Sequence, residues 1–226
     1  MFCIMATIID PSISYIIYNN LAEYKDLFEK CCPQRFEFPR NTILSRTGSR
    51  MPSMFFLLSG MVKIYTTNPS GYTRILGYHR RNTLFAMDRI CEDEPAVVTV
   101  ETVTPITALT VSWENIVKMG NLDHSFPNAL LKYYGTVLRL MCFDAEIKSV
   151  CDASSRLATF LCLFKVNSKD EEIRLTQDEL ASAVNASRVQ IARICSDFKA
   201  QGLITTERGK IKILDFERLS KISQYY

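Results

Sequence analysis

Arg188, Val189, Gln190 and Arg193 carry side chains that could read a nucleic acid. A guanidinium can meet guanine O6 and N7 with two hydrogen bonds, a discrimination of about 1–3 kcal/mol, and an amide can pair with adenine, while a valine can touch a thymine methyl. Around them stand Thr176, Gln177 and Ser187, together with Arg208 and Lys210, all better suited to phosphate oxygens than to base edges. From Ala186 to Ile213 there are six Lys or Arg (188, 193, 199, 208, 210, 212) against Asp197 and Glu207, a local excess of four. The whole chain is only +3, so the basic balance belongs to this stretch, and it is the footprint of phosphate contact. No Ser-His-Asp, metal-ligand or phosphate-loop constellation appears, so the sequence offers no basis for an enzyme.

These residues need elements to hold them. Thr176 with Glu179 forms a capping-box pattern, so a helix is expected to begin at Gln177, with Leu180, Ala181 and Val184 on its packed side. Asn185 tolerates the left-handed conformation of a sharp corner, and Ser187 with Gln190 repeats the cap. The cap competes with any reading of adenine by Gln190. A second helix is expected from Arg188 to about Gln201, burying Ile191, Ile194, Cys195 and Phe198 and leaving Arg188, Val189, Gln190 and Arg193 outward. Gly202 stops it. Leu203 to Thr206 and Lys210 to Leu214 then alternate as a hairpin turning at Arg208-Gly209-Lys210. Two helices around a three-residue corner, followed by a hairpin, make a winged helix-turn-helix.

The stretch resembles the C-terminal winged-helix domain of the Crp/Fnr transcription regulators. Their pattern of Leu-Thr-x-x-Glu-Leu-Ala, Ser-Arg, a further Arg and Gly-Leu-Ile stands here as Leu175 to Ala181, Ser187-Arg188, Arg193 and Gly202-Leu203-Ile204. The resemblance implies an α+β chain with an N-terminal β-roll (jelly-roll-like) sensor domain, a long dimerisation helix and a C-terminal winged helix-turn-helix. It implies sequence-specific binding to an inverted repeat in double-stranded DNA as a homodimer, under control of a small-molecule effector, with RNA polymerase as a partner. Many members of the family carry Glu where this chain has Val189. Glu accepts from cytosine, whereas Val contacts thymine, so a half-site with A·T in place of their C·G is expected.

Upstream, residues 34–111 are short β-prone runs broken by Pro, Gly, Asn and Ser: Arg35 to Phe38, Thr42 to Leu44, Met54 to Leu58, Met61 to Tyr65, Arg74 to Tyr78, Val97 to Thr102 and Ile106 to Val111. Phe55 to Lys63 is similar to the strand-Gly-strand signature of the family's cyclic-nucleotide-binding roll, and Asn68 to Gly71 reads as the next turn. Residues 1–20 read as an arm, Leu21 to Cys31 as a short helix, and Ser112 as the cap of another that carries Trp113 into the core. From Ser125 to Ser149, Leu131, Tyr134, Leu138, Met141 and Ala145 recur three and four apart, the seam of a helix pair. The expected domains are 1–124 (β-roll effector-sensing domain), 125–151 (dimerisation helix) and 152–226 (winged helix), with the hinge at Asp152 to Ser155.

The roll departs from the resembled pattern where a cyclic nucleotide would bind. Binders carry Gly-Glu for the ribose and an Arg for the phosphate. This chain has Leu84-Phe85-Ala86-Met87-Asp88 and then Glu92-Asp93-Glu94, whose carboxylates repel a phosphate, so cyclic AMP is not the expected effector. Ala86 and Asp88 stand where the carbon-monoxide sensors of the family place haem ligands. Cys3, Cys31 and Cys32 are too few before Cys91 for the cluster of the oxygen sensors. His79 and His124 lack partners at ligand spacing, so no metal and no cofactor is expected. The candidate effector pocket is Tyr78, Met87, Arg89, Tyr134, Leu138 and Met141, which suits a small aromatic acid or phenolate. Arg81-Asn82-Thr83-Leu84 is similar to members that sense halogenated aromatics.

Composition sets the class. A chain of 226 residues with 47% hydrophobic and 23% charged residues, no long apolar run and no basic N-terminal region reads as cytoplasmic, with no membrane partner. Its eight cysteines then read as free thiols. Two alternatives use the same scaffold. One is a thiol-based redox sensor acting through Cys91, Cys142 or Cys151; the other is a constitutive DNA-binding protein whose roll only dimerises.

Overall fold

The computed structural model describes residues 13–50, 53–90, 94–166, 172–207 and 209–223. The chain divides into two compact units, 16–138 and a second made of 139 onward with the residues around Tyr15.

The first unit is a mixed β structure with helices. Its strands are β1 (Ile16–Ile17), β2 (Arg35–Phe38), β3 (Ile43–Ser45), β4 (Met54–Ser59), β5 (Met61–Thr67), β6 (Thr73–Arg80), β7 (Thr83–Phe85), β8 (Thr99–Thr102) and β9 (Ile106–Val111). Among the described residues they form one sheet in the order β1-β6-β5-β8-β3 and another in the order β2-β9-β4-β7. Helix α1 (Lys25–Cys31), α2 (Trp113–Leu122) and the first half of α3 (Phe126–Val150) complete the unit.

Strand β4 shows why the sequence here reads as an unbroken apolar run. Phe55 and Leu57 enter the core with Val62, Phe85, Val100 and Ala108. Phe56 points to the other side, where it stacks on Phe28 of α1 at 3.9 Å, and Phe28 meets Phe126 of α3 edge-on at 5.7 Å. Both faces of the strand are buried, so neither tolerates a polar residue. Gly60 makes the turn into β5 at φ 86°, and a Cβ there would lie 2.3 Å from the Pro105 carbonyl oxygen, so only glycine fits.

The expected strands form with ends shifted by a residue or two. Three further strands carried no signal of their own. β1 comes from the supposed arm and pairs in parallel with β6, Ile16 opposite Tyr78. β7 is a three-residue strand against β4. β10 (Glu172–Ile173) has two residues. Such short segments hold no period, and their neighbours decide them. The Leu21 to Cys31 helix opens with a single 3₁₀ turn, Ala22–Tyr24, before α1. Trp113 is not core: it is 41% exposed. The Ser112–Asn115 capping box sets the phase of α2, turning Ile116 and Met119 inward and Trp113 and Val117 out.

α3 is tied to the roll by a buried tyrosine. The Tyr133 hydroxyl donates to the Leu84 carbonyl, so toward His79 Nδ1, at 3.1 Å, it can only accept, which fixes the proton on Nδ1. Burial holds the imidazole neutral and lowers its pKa to about 3. The unfolded histidine, near 6.5, binds a proton that the folded one refuses. Stability is therefore complete above about pH 6.5 and is lost as the pH falls from there toward 3. Urea unfolding of this unit at pH 5 should show about 2 kcal/mol less stability than at pH 7, and His79→Gln should remove most of that difference.

The second unit is built around α4 (Ala153–Val166), buried from Leu157 to Phe164. It holds the C-terminal half of α3, then α5 (Gln177–Val184), α6 (Arg188–Ala200), β11 (Ile204–Glu207), β12 (Lys210–Ile213) and α7 (Phe216–Ile222). The sheet order is β10-β12-β11. Tyr15 packs its ring 4.9 Å from Phe160 and donates its hydroxyl to Asp144 Oδ1 at 2.8 Å. Asp144, fully buried, also holds Lys148 Nζ at 2.7 Å.

Candidate nucleic-acid interface

The two caps expected from sequence are both made. Glu179 N donates to Thr176 Oγ1 at 3.1 Å while Thr176 N donates to Glu179 Oε2 at 2.8 Å, starting α5 at Gln177. Asn185 ends α5 in the left-handed region at φ 56°. Ser187 Oγ accepts from Gln190 N at 3.2 Å and Ser187 N donates to Gln190 Oε1 at 2.9 Å, starting α6 at Arg188. Leu180, Ala181 and Val184 of α5 and Ile191, Ile194, Cys195 and Phe198 of α6 are buried, which fixes the angle between the helices and the direction in which α6 faces.

The corner is held from behind by Arg156 of α4. Its guanidinium donates to the carbonyls of Val184 at 2.7 Å, Cys151 at 2.6 Å and Asn185 at 3.1 Å. One cation thus satisfies the end of α5, the corner and the chain just after α3. Asp152 Oδ1 accepts from Ser155 N at 2.8 Å and opens α4. Nothing in the sequence marked Arg156, because its three acceptors are backbone groups.

Arg188, Val189, Gln190 and Arg193 all lie exposed on α6. Val189 is 79% exposed, and such an apolar side chain gains nothing from water. Gln190 has its carbonyl oxygen in the cap, so the two-bond contact with adenine, which needs both ends of the amide, is not open to it as it stands. The Thr176 hydroxyl is likewise engaged, donating to Glu179 Oε2 at 3.0 Å, while Gln177 and Ser187 are exposed. Lys210 opens β12 beside the turn of the wing, and Arg208 lies outside the described residues. Arg188, Lys210, Thr176, Gln177, Asp178 and Glu207 line one groove of about 350 Å³ between α5, α6 and the wing.

The candidate effector residues are less gathered. Tyr134 brings its hydroxyl 3.4 Å from the Met87 carbonyl, joining two of them. Tyr78 is wholly buried, Leu138 is 63% exposed, and Met141 is half-buried in the second unit. The side chain of Arg89 and residues Glu92 and Asp93 lie outside the described residues. Asp88 accepts the Val97 amide at 2.9 Å through Oδ2, so its carboxylate closes the loop that follows. Ala86 stands at φ 55°, a conformation that costs a non-glycine residue about 1–2 kcal/mol.

On α3, the face toward the roll carries the buried Leu130 and Tyr133. Leu131, at 70% exposure, Leu138 and Ala145 are turned outward, with Tyr134 and Met141 half-buried. Of the cysteines named as redox candidates, Cys142 is exposed, Cys151 is buried and Cys91 lies outside the described residues. Burial pushes Cys32 and Cys162 up to about 12 and raises Cys195, which keeps these thiols protonated and unreactive.

Two domain families match the chain: the Crp-like helix-turn-helix domain over residues 155–222 and the cyclic nucleotide-binding domain over residues 35–121. The CRP-like cAMP-activated global transcriptional regulator of Mycobacterium tuberculosis is 25% identical to it over 83% of this chain and 87% of its own length. Among solved structures, the c-di-GMP responsive global regulator CLP of Xanthomonas campestris matches with a TM-score of 0.73 at 20% identity, over 85% of this chain and 98% of that one. OCPA-complexed CprK matches with a TM-score of 0.72 at 15% identity, over 92% and 100%. No helix among the described residues is long and apolar enough to cross a membrane.

Proposed function

We propose, since the chain belongs to the Crp/Fnr family of DNA-binding transcription regulators, that it reads an inverted-repeat DNA site as a homodimer under the control of a small molecule other than cyclic AMP. The observation that carries the reading is α6: two capping boxes and the Arg156 clamp hold Arg188, Val189 and Arg193 outward on a rigid helix. Arg188 and Arg193 take guanine or phosphate, and Val189 takes a thymine methyl. Gln177, Ser187, Lys210 and Arg208 meet phosphates, and Thr176 contributes chiefly by starting α5.

The homodimer is supported by the outward apolar strip of Leu131, Leu138 and Ala145, which leaves two large leucines in water in a single chain. A pair of such helices would set two copies of α6 about 34 Å apart, one turn of DNA. The effector acts by its differential affinity for two dimer geometries. A cyclic nucleotide is disfavoured because Asp88 sits at the turn after β7 with its carboxylate committed to the Val97 amide. The relatives and solved structures differ among themselves in the ligands they are named for, so the shared fold does not choose one. The side chains about Met87 and Tyr134 suit a small aromatic anion.

Selection of binding sequences from a random duplex pool tests the reading. The expected product is an inverted repeat whose half-site carries A·T opposite Val189. A C·G pair at that position overturns the contact assignment, and retention of duplex with no preferred sequence, across a panel of aromatic acids, overturns the regulator reading.

A further inference from the structure

Two of the cations that face DNA in the proposed reading are already paired with carboxylates. Lys210 Nζ lies 3.0 Å from Glu172 Oε2, and Arg174 Nη2 reaches the same oxygen at 3.6 Å. Glu172 is also directly across the sheet from Lys212, in the antiparallel register of β10 and β12. One carboxylate therefore sits among three cations alongside β12 of the wing. The hydrogen bond from Lys210 holds its pKa below the usual carboxylate range. On the other side of the groove, Arg188 Nη1 is 3.7 Å from Asp178 Oδ2, both side chains 68% exposed.

We propose that Glu172 and Asp178 are built-in counter-anions that occupy the hydrogen-bonding positions of Lys210 and Arg188 and so hold down the sequence-independent part of DNA binding. The inference rests on the reading of this surface as the DNA interface. Exposed ion pairs of this kind contribute little to stability, so they can be exchanged for a phosphate at small cost. Sequence-independent binding is driven by counterion release and scales with the number of cations free to meet phosphates. A cation neutralised within the protein releases no ion when it docks, and the displaced carboxylate is left close to the DNA charge. The penalty falls on every duplex alike: at the correct site base contacts keep the net affinity high, while random duplex, held by phosphate contacts alone, is retained weakly.

Removing one carboxylate should free one cation. Each added phosphate contact steepens the dependence of log K on log salt by about 0.9, and at 0.1 M salt multiplies affinity by about 8. Glu172→Gln keeps the shape of the side chain and should bind random duplex up to about eightfold tighter, with the steeper slope. Its affinity for the selected site should rise by a similar factor, because a phosphate contact strengthens binding on every sequence. Asp178→Asn, on the separate pair, should act in the same direction and serves as the second variant. The measurement is fluorescence anisotropy titration of wild type and both variants on random and selected duplexes from 0.05 to 0.3 M salt, with melting curves confirming the fold. Unchanged random-duplex affinity and slope in both variants overturns the proposal. So does an equal loss on both duplexes, which makes the carboxylates merely structural. A wild type that binds neither duplex at the lowest salt overturns instead the DNA reading on which it rests.

Discussion

In the proposed homodimer, replacing Leu138 with glutamate should separate the two chains and lower affinity for an inverted repeat by a factor of roughly 10² to 10⁴. Leu138 is 63% exposed in the single chain, between Leu131 and Ala145 on the outward side of α3. In a paired helix it would be packed, and the glutamate would bring two like charges together at the seam. Binding by two α6 helices of a dimer makes the second half-site contact intramolecular, and that advantage disappears with the dimer. Because the position is exposed, the monomer should keep its fold and its far-ultraviolet spectrum. Sedimentation velocity with DNA titration on full and half sites checks the expectation. A variant that stays dimeric places the interface elsewhere, and a wild type that is monomeric at every concentration removes the dimer from the reading.

The second large effect concerns stability. Asp144→Ala should cost about 3–5 kcal/mol, because it removes the buried carboxylate to which both Lys148 and the Tyr15 hydroxyl are bonded. The Lys148 side chain is 7% exposed and that of Asp144 wholly buried, with the Tyr15 hydroxyl on the second carboxylate oxygen. A domain of this size has only about 5–15 kcal/mol in all, so the loss is a large share of its stability. Adding Lys148→Met to Asp144→Ala should recover most of it, since a buried pair exchanged for apolar groups is close to neutral. Urea unfolding followed by circular dichroism gives both values. A cost under about 1 kcal/mol for Asp144→Ala would show that water reaches the pair.

Local chemistry determined much of the second unit. The capping boxes at Thr176–Glu179 and Ser187–Gln190, the left-handed Asn185 and the buried face of α6 are each written within a few residues, and each forms as read. The same holds for the longer β runs and for α3, whose ends fall within one residue of those expected. Exposure of Arg188, Val189, Gln190 and Arg193 follows from helical periodicity alone once the cap is placed.

Only the tertiary structure decided the rest. Ile16 and Ile17 are a strand because β6 offers them an edge, and Trp113 is exposed because Ile116 and Met119 take the packed side of its helix. Arg156 bonds to carbonyls that any residue could supply, and Glu172 meets Lys210 and Lys212 only through the register of β10 with β12. Tyr133 finds His79 and Leu84 from 54 and 49 residues away. Caps, periods and turns are short-range and leave their mark in neighbouring residues. Pairings across a sheet or between a side chain and a distant carbonyl depend on how elements are brought together, and a single sequence carries no local trace of them.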